Sequence, residues 1–369
     1  MTGVLPSQTI ETMLAREEIK LAAPLIEGQI QPASLDLRLG HKAYRVRASF
    51  LAGQNRKVSD RLEEFGMHEI DLSAGAVLEK GAVYVVPLME SLALPAGIQA
   101  VANAKSSTGR LDLLTRLITD QGTEFDRIPD GYTGPLYAEI CPRSFSVLVR
   151  PGMRLNQIRF RKGQAVLDDA TLRAVHAETP LVDSEAVIDG GLGFSVDLEP
   201  AEGTLVGYRA KPHTGVIDLD RIGHYDPLEF WEELHSTSGH LILDPGAFYI
   251  LVSREAVHIP PAYAAEMAPY IAMVGEFRVH YAGFFDPGFG HDAAGGQGAR
   301  GVLEVRCHEA PFVLEHQPPA ATIFSLTLDL LAHLNSALRK GPFVIRLGRF
   351  VIAARSTGTY DSLCALDDM

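Results

Sequence analysis

Two short stretches of this chain carry residue types that could do chemistry together. Residues 104–114 read AKSSTGRLDLL and residues 130–140 read DGYTGPLYAEI. In the first, Lys105, Ser106, Ser107 and Arg110 supply hydroxyls and cations close together. Such a group suits a polyphosphate, because cations make charge-assisted bonds to phosphate oxygens. If a short helix starts at the serines, its free N–H groups face the same anion. In the second stretch, Gly131 and Gly134 flank a turn where a ligand can approach the backbone closely. Glu139 follows on an expected strand, and period two puts Tyr137 and Glu139 on one face. A partly buried carboxylate there could trade protons near neutral pH. Taken singly, Lys-Ser-Ser also fits a helix cap with solvated charges, and a strand Glu also fits a solvated outer face. The functional reading rests on the two stretches together.

The elements that must hold these residues read mostly as strands. One helix is expected at the start, where Ile10, Met13 and Leu14 stand at i, i+3, i+4 with Ser7 as cap. Ser34 to Leu39 alternates and stops at Gly40, and Val83 to Val86 is β-branched and aromatic. Phe145 to Val149 and Leu155 to Phe160 flank a turn at Pro151-Gly152. Many short strands between Gly and Pro turns predict an all-β chain, mainly β with a few short helices, folded as sandwich or barrel.

The layout repeats. Gly81, Pro95 and Glu139 recur 165 residues later as Gly246, Pro260 and Glu304. Ser34-Leu35-Asp36-Leu37 is echoed by Ser195-Val196-Asp197-Leu198, at an offset of 161. Two related β domains are expected, joined within the polar stretch Arg161 to Gly190. At the 165 offset Ser106 and Ser107 fall on Ile271 and Ala272, and Arg110 on Gly275, so the second copy has lost the phosphate-suited set. It keeps a turn, Asp286 to Gly290, and Glu304, and adds a Gly-rich stretch, His291 to Gly301, expected as a surface loop.

With 369 residues, 46% hydrophobic and 21% charged, the chain has the composition of a soluble globular protein and room for two domains. A net charge of −13 argues against a nucleic-acid polymer as partner, yet a few local cations can hold a small anion. No apolar run nears the roughly 20 residues of a membrane span, and the N-terminus lacks a signal-peptide pattern. Three scattered cysteines, Cys141, Cys307 and Cys364, make no disulfide framework, so a cytoplasmic location is expected. His176-Ala177-Glu178 has the H-x-E form of zinc deaminases, but no P-C-x-x-C follows, and zinc is not expected.

As a set, the motifs resemble the dCTP deaminase/dUTPase superfamily. The likeness runs from the N-terminal helix through IQPASLDLRLG (Ile30 to Gly40), the AKSSTGR loop, DRIPDGYTG (Asp126 to Gly134), Glu139 and RPGMRLNQIRF (Arg150 to Phe160). The second repeat resembles the same fold through AGFFDPGFG and Val302 to Arg306. RPGM and the helix resemble the deaminase branch, in a tandem two-domain form. That implies two dUTPase-like distorted β-barrel domains, a catalytic one at 1–175 and a degenerate one at 176–369. It also implies a homotrimer with sites at subunit boundaries, and metal-free hydrolysis of dCTP to dUTP and ammonia, feeding pyrimidine deoxynucleotide synthesis. Glu139 would activate water for attack at C4. Ser106, Ser107 and Arg110 would hold the triphosphate from a neighbouring barrel. Lys105 stands where the family commonly has Arg, which keeps charge but not the bidentate fork. Arg127 would sit near the base-binding turn, with Tyr137 and Gln157 completing the substrate set. Mg²⁺ would accompany the triphosphate rather than do the chemistry.

The resemblance leaves two alternatives. One is a dUTPase or bifunctional enzyme giving dUMP and pyrophosphate. The other is a non-catalytic protein that binds dCTP, dUTP or dTTP. Three departures matter: Pro129-Asp130-Gly131 replaces the family's Asp-Pro-Gly, which Asp286-Pro287-Gly288 keeps; the segment Asp112 to Phe125 is long; and a C-terminal lid has no clear match, the linker and the tail near Tyr360 being candidates. If three chains stack as two rings, the first repeat holds both parts of the site and the second ring is structural, with Asp286 and Glu304 left unassigned.

Overall fold

The computed structural model describes residues 2–201, 203–269, 277–279, 283–307, 310–316 and 322–330. Tyr360, and with it any lid in the tail, lies outside them. The chain divides into two compact units, Met1–Ala165 with Gly215–Asp220, and Val166–Thr214 with Arg221–Leu330. The division falls at Ala165/Val166, earlier than the expected 175/176. The helix Asp169–Glu178 packs Leu172 into the second unit's core and so belongs there. Among the described residues no helix is long and apolar enough to cross a membrane.

Both units are mainly β. The first runs β1 Gly3–Val4, α1 Ser7–Ala15, β2 Ile19–Leu21, β3 Ile30–Gln31, β4 Ser34–Arg38, β5 Lys42–Val46, α2 Val58–Phe65, β6 Gly66–Asp71, β7 Ala76–Leu78 and β8 Val83–Ala93. It continues through β9 Ile98–Ala104, α3 Ser106–Arg110, β10 Leu113–Thr119, β11 Arg127–Ile128, β12 Thr133–Pro142, β13 Val147–Val149 and β14 Arg154–Lys162. One sheet has the order β11-β9-β14-β4-β3, a second β10-β12-β8-β5-β6, and β7 pairs β13 in a third. Leu35, Leu37, Ala100, Ile158 and Phe160 of the first sheet share a core with Leu92, Leu117 and Leu136 of the second. The α1 helix buries Ile10 and Met13 against them. Ser7 is its first residue rather than its cap: Pro6 holds the N-cap position, and its carbonyl accepts from Ile10 N at 3.1 Å.

All five residues of β4 are buried, polar ones included. Its apolar face feeds the core, and Arg38 on the other face is fully engaged. Arg38 Nε donates to Glu90 Oε1 at 2.7 Å, Arg38 N to Glu90 Oε2 at 2.8 Å, and the guanidinium caps the carbonyls of Ala23 and Pro24. Gln29 Nε2 adds a bond to Glu90 at 2.8 Å. A buried charge is tolerated only when paired in this way.

The second unit runs α4 Asp169–Glu178, β15 Leu192–Ser195, β16 Leu205–Ala210, then, after β17 Ile217–Asp218 of the first unit, α5 Pro227–Phe230, β18 Trp231–His235, β19 His240–Leu243 and β20 Phe248–Val257. It ends with β21 Tyr263–Pro269, β22 Phe277–Val279, β23 Phe284–Phe285, β24 Ala299–Cys307, β25 Phe312–Glu315 and β26 Thr322–Leu330. Its sheets have the orders β23-β21-β26-β15, β22-β24-β20-β16-β18 and β25-β19, which reproduce β11-β9-β14-β4, β10-β12-β8-β5-β6 and β13-β7. Even a bulge recurs, between Arg154 and Asn156 in the first unit and opposite Phe194/Ser195 in the second.

The pairing corrects one sequence match. The bridge Leu39↔Leu88 is reproduced by Val196↔Ser253, and the bond from Gly40 N to Pro87 O by that from Asp197 N to Val252 O. Ser195 therefore stands at the place of Arg38, and Asp36 has its counterpart in Gly193, not Asp197. Strand register is set by pairing, and the loops absorb the difference in length. The Gly-rich stretch after His291 is also more than a loop. It forms a 3-10 turn at Asp292–Ala294 and enters β24 at Ala299.

Candidate active site

Glu139 lies in the middle of β12 and is 1% exposed. Strand pairing sets it in a row across the sheet: Glu69, Tyr44, Val85, Glu139, Arg116. Directly opposed residues share a face, and this is the face away from the main core. It carries a smaller apolar cluster of Val46, Ala52, Val58, Val85 and Ile118, with Tyr44, Phe125 and Tyr137 packed on it. A register shift between Pro135 and Tyr137 re-aims the strand just ahead of Glu139.

A carboxylate in such a place needs a partner. Arg116 supplies it from the opposing strand. Its Nε donates to Glu139 Oε1 at 3.1 Å and its Nη2 donates to the same oxygen. Glu139 Oε2 is buried and has no hydrogen-bond partner among the described residues.

Arg116 is itself held from outside the sheet. Nη2 also donates to Ser49 Oγ at 2.9 Å, and the guanidinium carbon sits 3.6 Å from the Phe125 ring centre. Ser49 and Phe125 belong to two inter-strand segments that are tied together. Gly53 N donates to Gly122 O at 2.9 Å, Gln121 N to Arg56 O at 2.8 Å, and Val58 N to Asp120 Oδ1 at 2.8 Å. Asp126 closes the second segment with Oδ1 on Leu117 N at 2.7 Å and a φ of 61°. Burial pushes its carboxyl up to about 7, Glu139 adding to this while the Leu117 N–H and Arg116 oppose it. Sequence reasoning missed both Arg116 and Asp126. The usable signal was an arginine inside the apolar strand Leu113–Thr119.

The phosphate-suited residues form α3 as expected, with Lys105 at the N-cap position. Ser106 is exposed and Ser107 half-buried, and neither hydroxyl makes a hydrogen bond among the described residues. Arg110 Nε is buried without a hydrogen-bond partner among those residues. The Lys105 ammonium is already committed: it lies on Asp36 Oδ2, and Arg154 stands 3.4 Å from the same oxygen. Burial holds the Asp36 carboxyl above its usual range, with Lys105 and Arg154 opposing. The helix leads into β10, whose Leu113 pairs with Pro142, three residues beyond Glu139. No hydrogen bond joins Glu139 to Ser106, Ser107 or Arg110 among the described residues.

The remaining expected residues scatter. Gln157 pairs with Asp36 and Asn103 in register, donates to Asn103 Oδ1 at 3.1 Å and accepts from Ser34 at 3.2 Å. Its neighbour Asn156 is fully buried, and both its amide atoms lack hydrogen-bond partners among the described residues. Tyr137 flanks Glu139, its hydroxyl pushed up to about 12 by burial, Asp120 and Tyr44. Arg127 is exposed on β11 in the other sheet and pairs with Glu124 at 3.2 Å. Gly134 serves the fold, since a Cβ there would lie 2.6 Å from the Tyr132 hydroxyl. Asp130 accepts from Gly97 N at 2.6 Å, which gives the swapped Pro-Asp turn a local role. Among the described residues no three His, Cys, Asp or Glu side chains converge to hold a metal.

In the second unit Glu304 occupies the place of Glu139, in a row with Ile250, Tyr208 and Glu233. The pairings Ile128↔Ala100 and Phe285↔Ala265 are equivalent, so Phe284 stands for Arg127 and Gly283 for Asp126. Ile271 and Ala272 lie outside the described residues.

Comparison with known proteins points to one family over both units. Residues 1–164 match the 2'-deoxycytidine 5'-triphosphate deaminase (DCD) N-terminal domain, and residues 168–339 the C-terminal domain of the same family. A crystal structure of 2'-deoxycytidine 5'-triphosphate deaminase from Agrobacterium tumefaciens is similar at 56% identity and a TM-score of 0.86, over 90% of this chain and 99% of that one. A Coprothermobacter proteolyticus protein described as "dCTP deaminase, dUMP-forming" is 31% identical over 37% of this chain and 70% of its own length. A "dCTP deaminase" from Ignicoccus hospitalis is 27% identical over 46% of this chain and 89% of its own.

Proposed function

We propose the reaction from a premise of membership: this chain belongs to the 2'-deoxycytidine 5'-triphosphate (dCTP) deaminase family, in a two-domain arrangement. It deaminates dCTP hydrolytically to dUTP and ammonia. The observation that carries the reading is Glu139, a buried carboxylate fixed through Oε1 and unpartnered at Oε2 among the described residues. Glu139 takes a proton from water as the water oxygen bonds to C4 of cytosine. The electron pair displaced onto N3 takes up a proton. The proton of the new C4 hydroxyl is then carried to the exocyclic nitrogen, the C4–N bond breaks, and ammonia leaves a C4 carbonyl behind. Both protons of the water are thereby placed, one on N3 and one on ammonia. Holding that water against Oε2 supplies much of the rate.

Ser106, Ser107 and Arg110 hold the triphosphate, which arrives with Mg²⁺ as part of the substrate. The buried Arg110 Nε, without a hydrogen-bond partner among the described residues, supports this role. Lys105 contributes by its ion pair with Asp36. These donors reach the Glu139 of a neighbouring copy, in a trimer of distorted β-barrels. The chemistry uses no resident metal, and the first unit does it.

The dUMP-forming relatives favour a second reading, in which pyrophosphate also leaves. Purified protein given Mg·dCTP is expected to release ammonia in step with dUTP, and phosphorus NMR to show no pyrophosphate. Glu139→Gln is expected to bind nucleotide while turnover falls by about 10³-fold. Full turnover by that variant would sink the assignment. Pyrophosphate in step with ammonia would move it to the second reading.

A further inference from the structure

We propose that Arg116 is the positioning residue of this site: it fixes Oε1 of Glu139 and thereby presents Oε2 to the attacking water, while Ser49, Phe125 and Asp126 hold Arg116 itself. This rests on the reading of Glu139 as the base. The backbone ladder sets Arg116 directly opposite Glu139, so their approach does not depend on a loop. Two guanidinium donors converge on one carboxylate oxygen, Nε at 3.1 Å and Nη2 beside it. A carboxylate held at one oxygen cannot exchange its two oxygens freely, and the other points in a fixed direction.

The guanidinium has little freedom either. Ser49 accepts from Nη2 at 2.9 Å on one side, and the Phe125 ring covers the planar face at 3.6 Å. Asp126 clamps the ring-bearing segment onto the residue that follows Arg116. Its N–H donates to Leu117 O at 3.0 Å, and its Oδ1 accepts from Leu117 N at 2.7 Å. Its left-handed φ of 61° is unfavourable for a residue other than glycine and persists because both bonds hold it. The long segment between β10 and β11 thus serves the site by delivering Phe125 and Asp126 to Arg116. In the second unit the place of Asp126 is taken by Gly283.

Only a planar fork can fill this role. Lysine keeps the charge but cannot give two convergent bonds and a ring-stacked face. The test uses the full chain with Mg·dCTP and compares Arg116→Lys, Arg116→Ala and Glu139→Gln, with thermal melting as a check on folding. Arg116→Ala is expected to lose about 100-fold in kcat while KM stays within about threefold, because a misplaced base slows chemistry without touching the triphosphate. Arg116→Lys is expected to lose about tenfold. Guanidinium ion in solution is expected to restore at least about fivefold to folded Arg116→Ala and nothing to Arg116→Lys, a response that a purely structural role would not produce.

Wild-type kcat in either Arg116 variant, a loss confined to KM, or no rescue of folded Arg116→Ala would overturn the proposal. If Arg116→Ala does not fold, Arg116→Lys decides by its kcat. Full turnover in Glu139→Gln would remove the base reading itself. An inactive Glu139→Gln beside unimpaired Arg116 variants would remove the positioning role alone.

Discussion

Two rows of residues stand on the same strand pairings: Glu69, Tyr44, Val85 and Glu139 in the first unit, Glu233, Tyr208, Ile250 and Glu304 in the second. Glu, Tyr, an apolar residue and Glu recur in order, so the fold keeps the carboxylate whether or not it works. The difference lies around it. Where the first unit has Asp36, Asp126, Arg127 and Asn156, the same register places Gly193, Gly283, Phe284 and Phe324 in the second. In the first unit Asp36, Arg110, Glu139 and Asn156 all have buried polar atoms without hydrogen-bond partners among the described residues. Each such atom costs about 1–3 kcal/mol. The second unit has Gly193 and Phe324 in the places of Asp36 and Asn156, while its own Tyr208 hydroxyl and His316 Nδ1 are buried without hydrogen-bond partners among the described residues. The glutamate is common to both units, and the buried polar groups of Asp36 and Asn156 are what set the first apart.

Altering each glutamate in turn separates the two units most strongly. Glu139→Gln is expected to lower kcat by about 10³-fold, and Glu304→Gln to leave it within about twofold. Equal losses, read as ammonia release from Mg·dCTP, would mean that the two rows work jointly.

A second pair tests what the shared frame is worth. Glu90 and Glu255 are equivalent: each carboxylate accepts from the backbone N–H of a strand residue, Arg38 at 2.8 Å and Ser195 at 2.9 Å. Glu90 is 1% exposed and also carries the Arg38 guanidinium and Gln29, whereas Glu255 is half-buried and carries the Ser195 hydroxyl. Glu90→Gln leaves a buried arginine unpaired and is expected to cost about 3–5 kcal/mol. Glu255→Gln is expected to cost about 1 kcal/mol. Urea melts would reveal the order, and a larger loss at Glu255 would reverse the ranking of the two frames.

What could be read in the sequence follows from range. The 165-residue offset between Glu139 and Glu304 survives because both sit on long paired strands, and Gly81 and Gly246 keep it in the turns that lead into the partner strands β8 and β20. The offset between Ser34 and Ser195 misled, because a loop of different length intervenes and four similar letters say nothing about register. Ser106, Ser107 and Arg110 announce themselves by being adjacent. Lys105 does not announce Asp36, which lies 69 residues away and meets it only when β4 and β9 flank β14. Arg116 and Glu139 are 23 residues apart, and nothing in either segment says that they oppose each other. Asp126 reads in the sequence only as the first letter of DRIPDGYTG. Its role depends on its bonds to Leu117, which only the folded chain creates.

The smallest expected effect bears on that last residue. Burial places the folded carboxyl of Asp126 at about 7, against an ordinary value of 3.8. Between those values the folded chain holds a proton that the unfolded chain has released. Stability therefore falls as pH rises from about 4 to about 7, and the full penalty applies above that. Asp126→Asn removes the charge and keeps an oxygen for Leu117 N. At pH 8 the variant is expected to be more stable than the parent by about 1 kcal/mol, allowing for solvent screening at a half-buried residue. At pH 4 the two should melt together, with the gap opening between pH 4 and 7. The second unit, with Gly283 at this place, has no carboxyl to contribute such a slope. A variant less stable than the parent at pH 8 would mean that the Asp126 charge supports the fold through Arg116, and that the contrast between the two units at this position is one of stability rather than function.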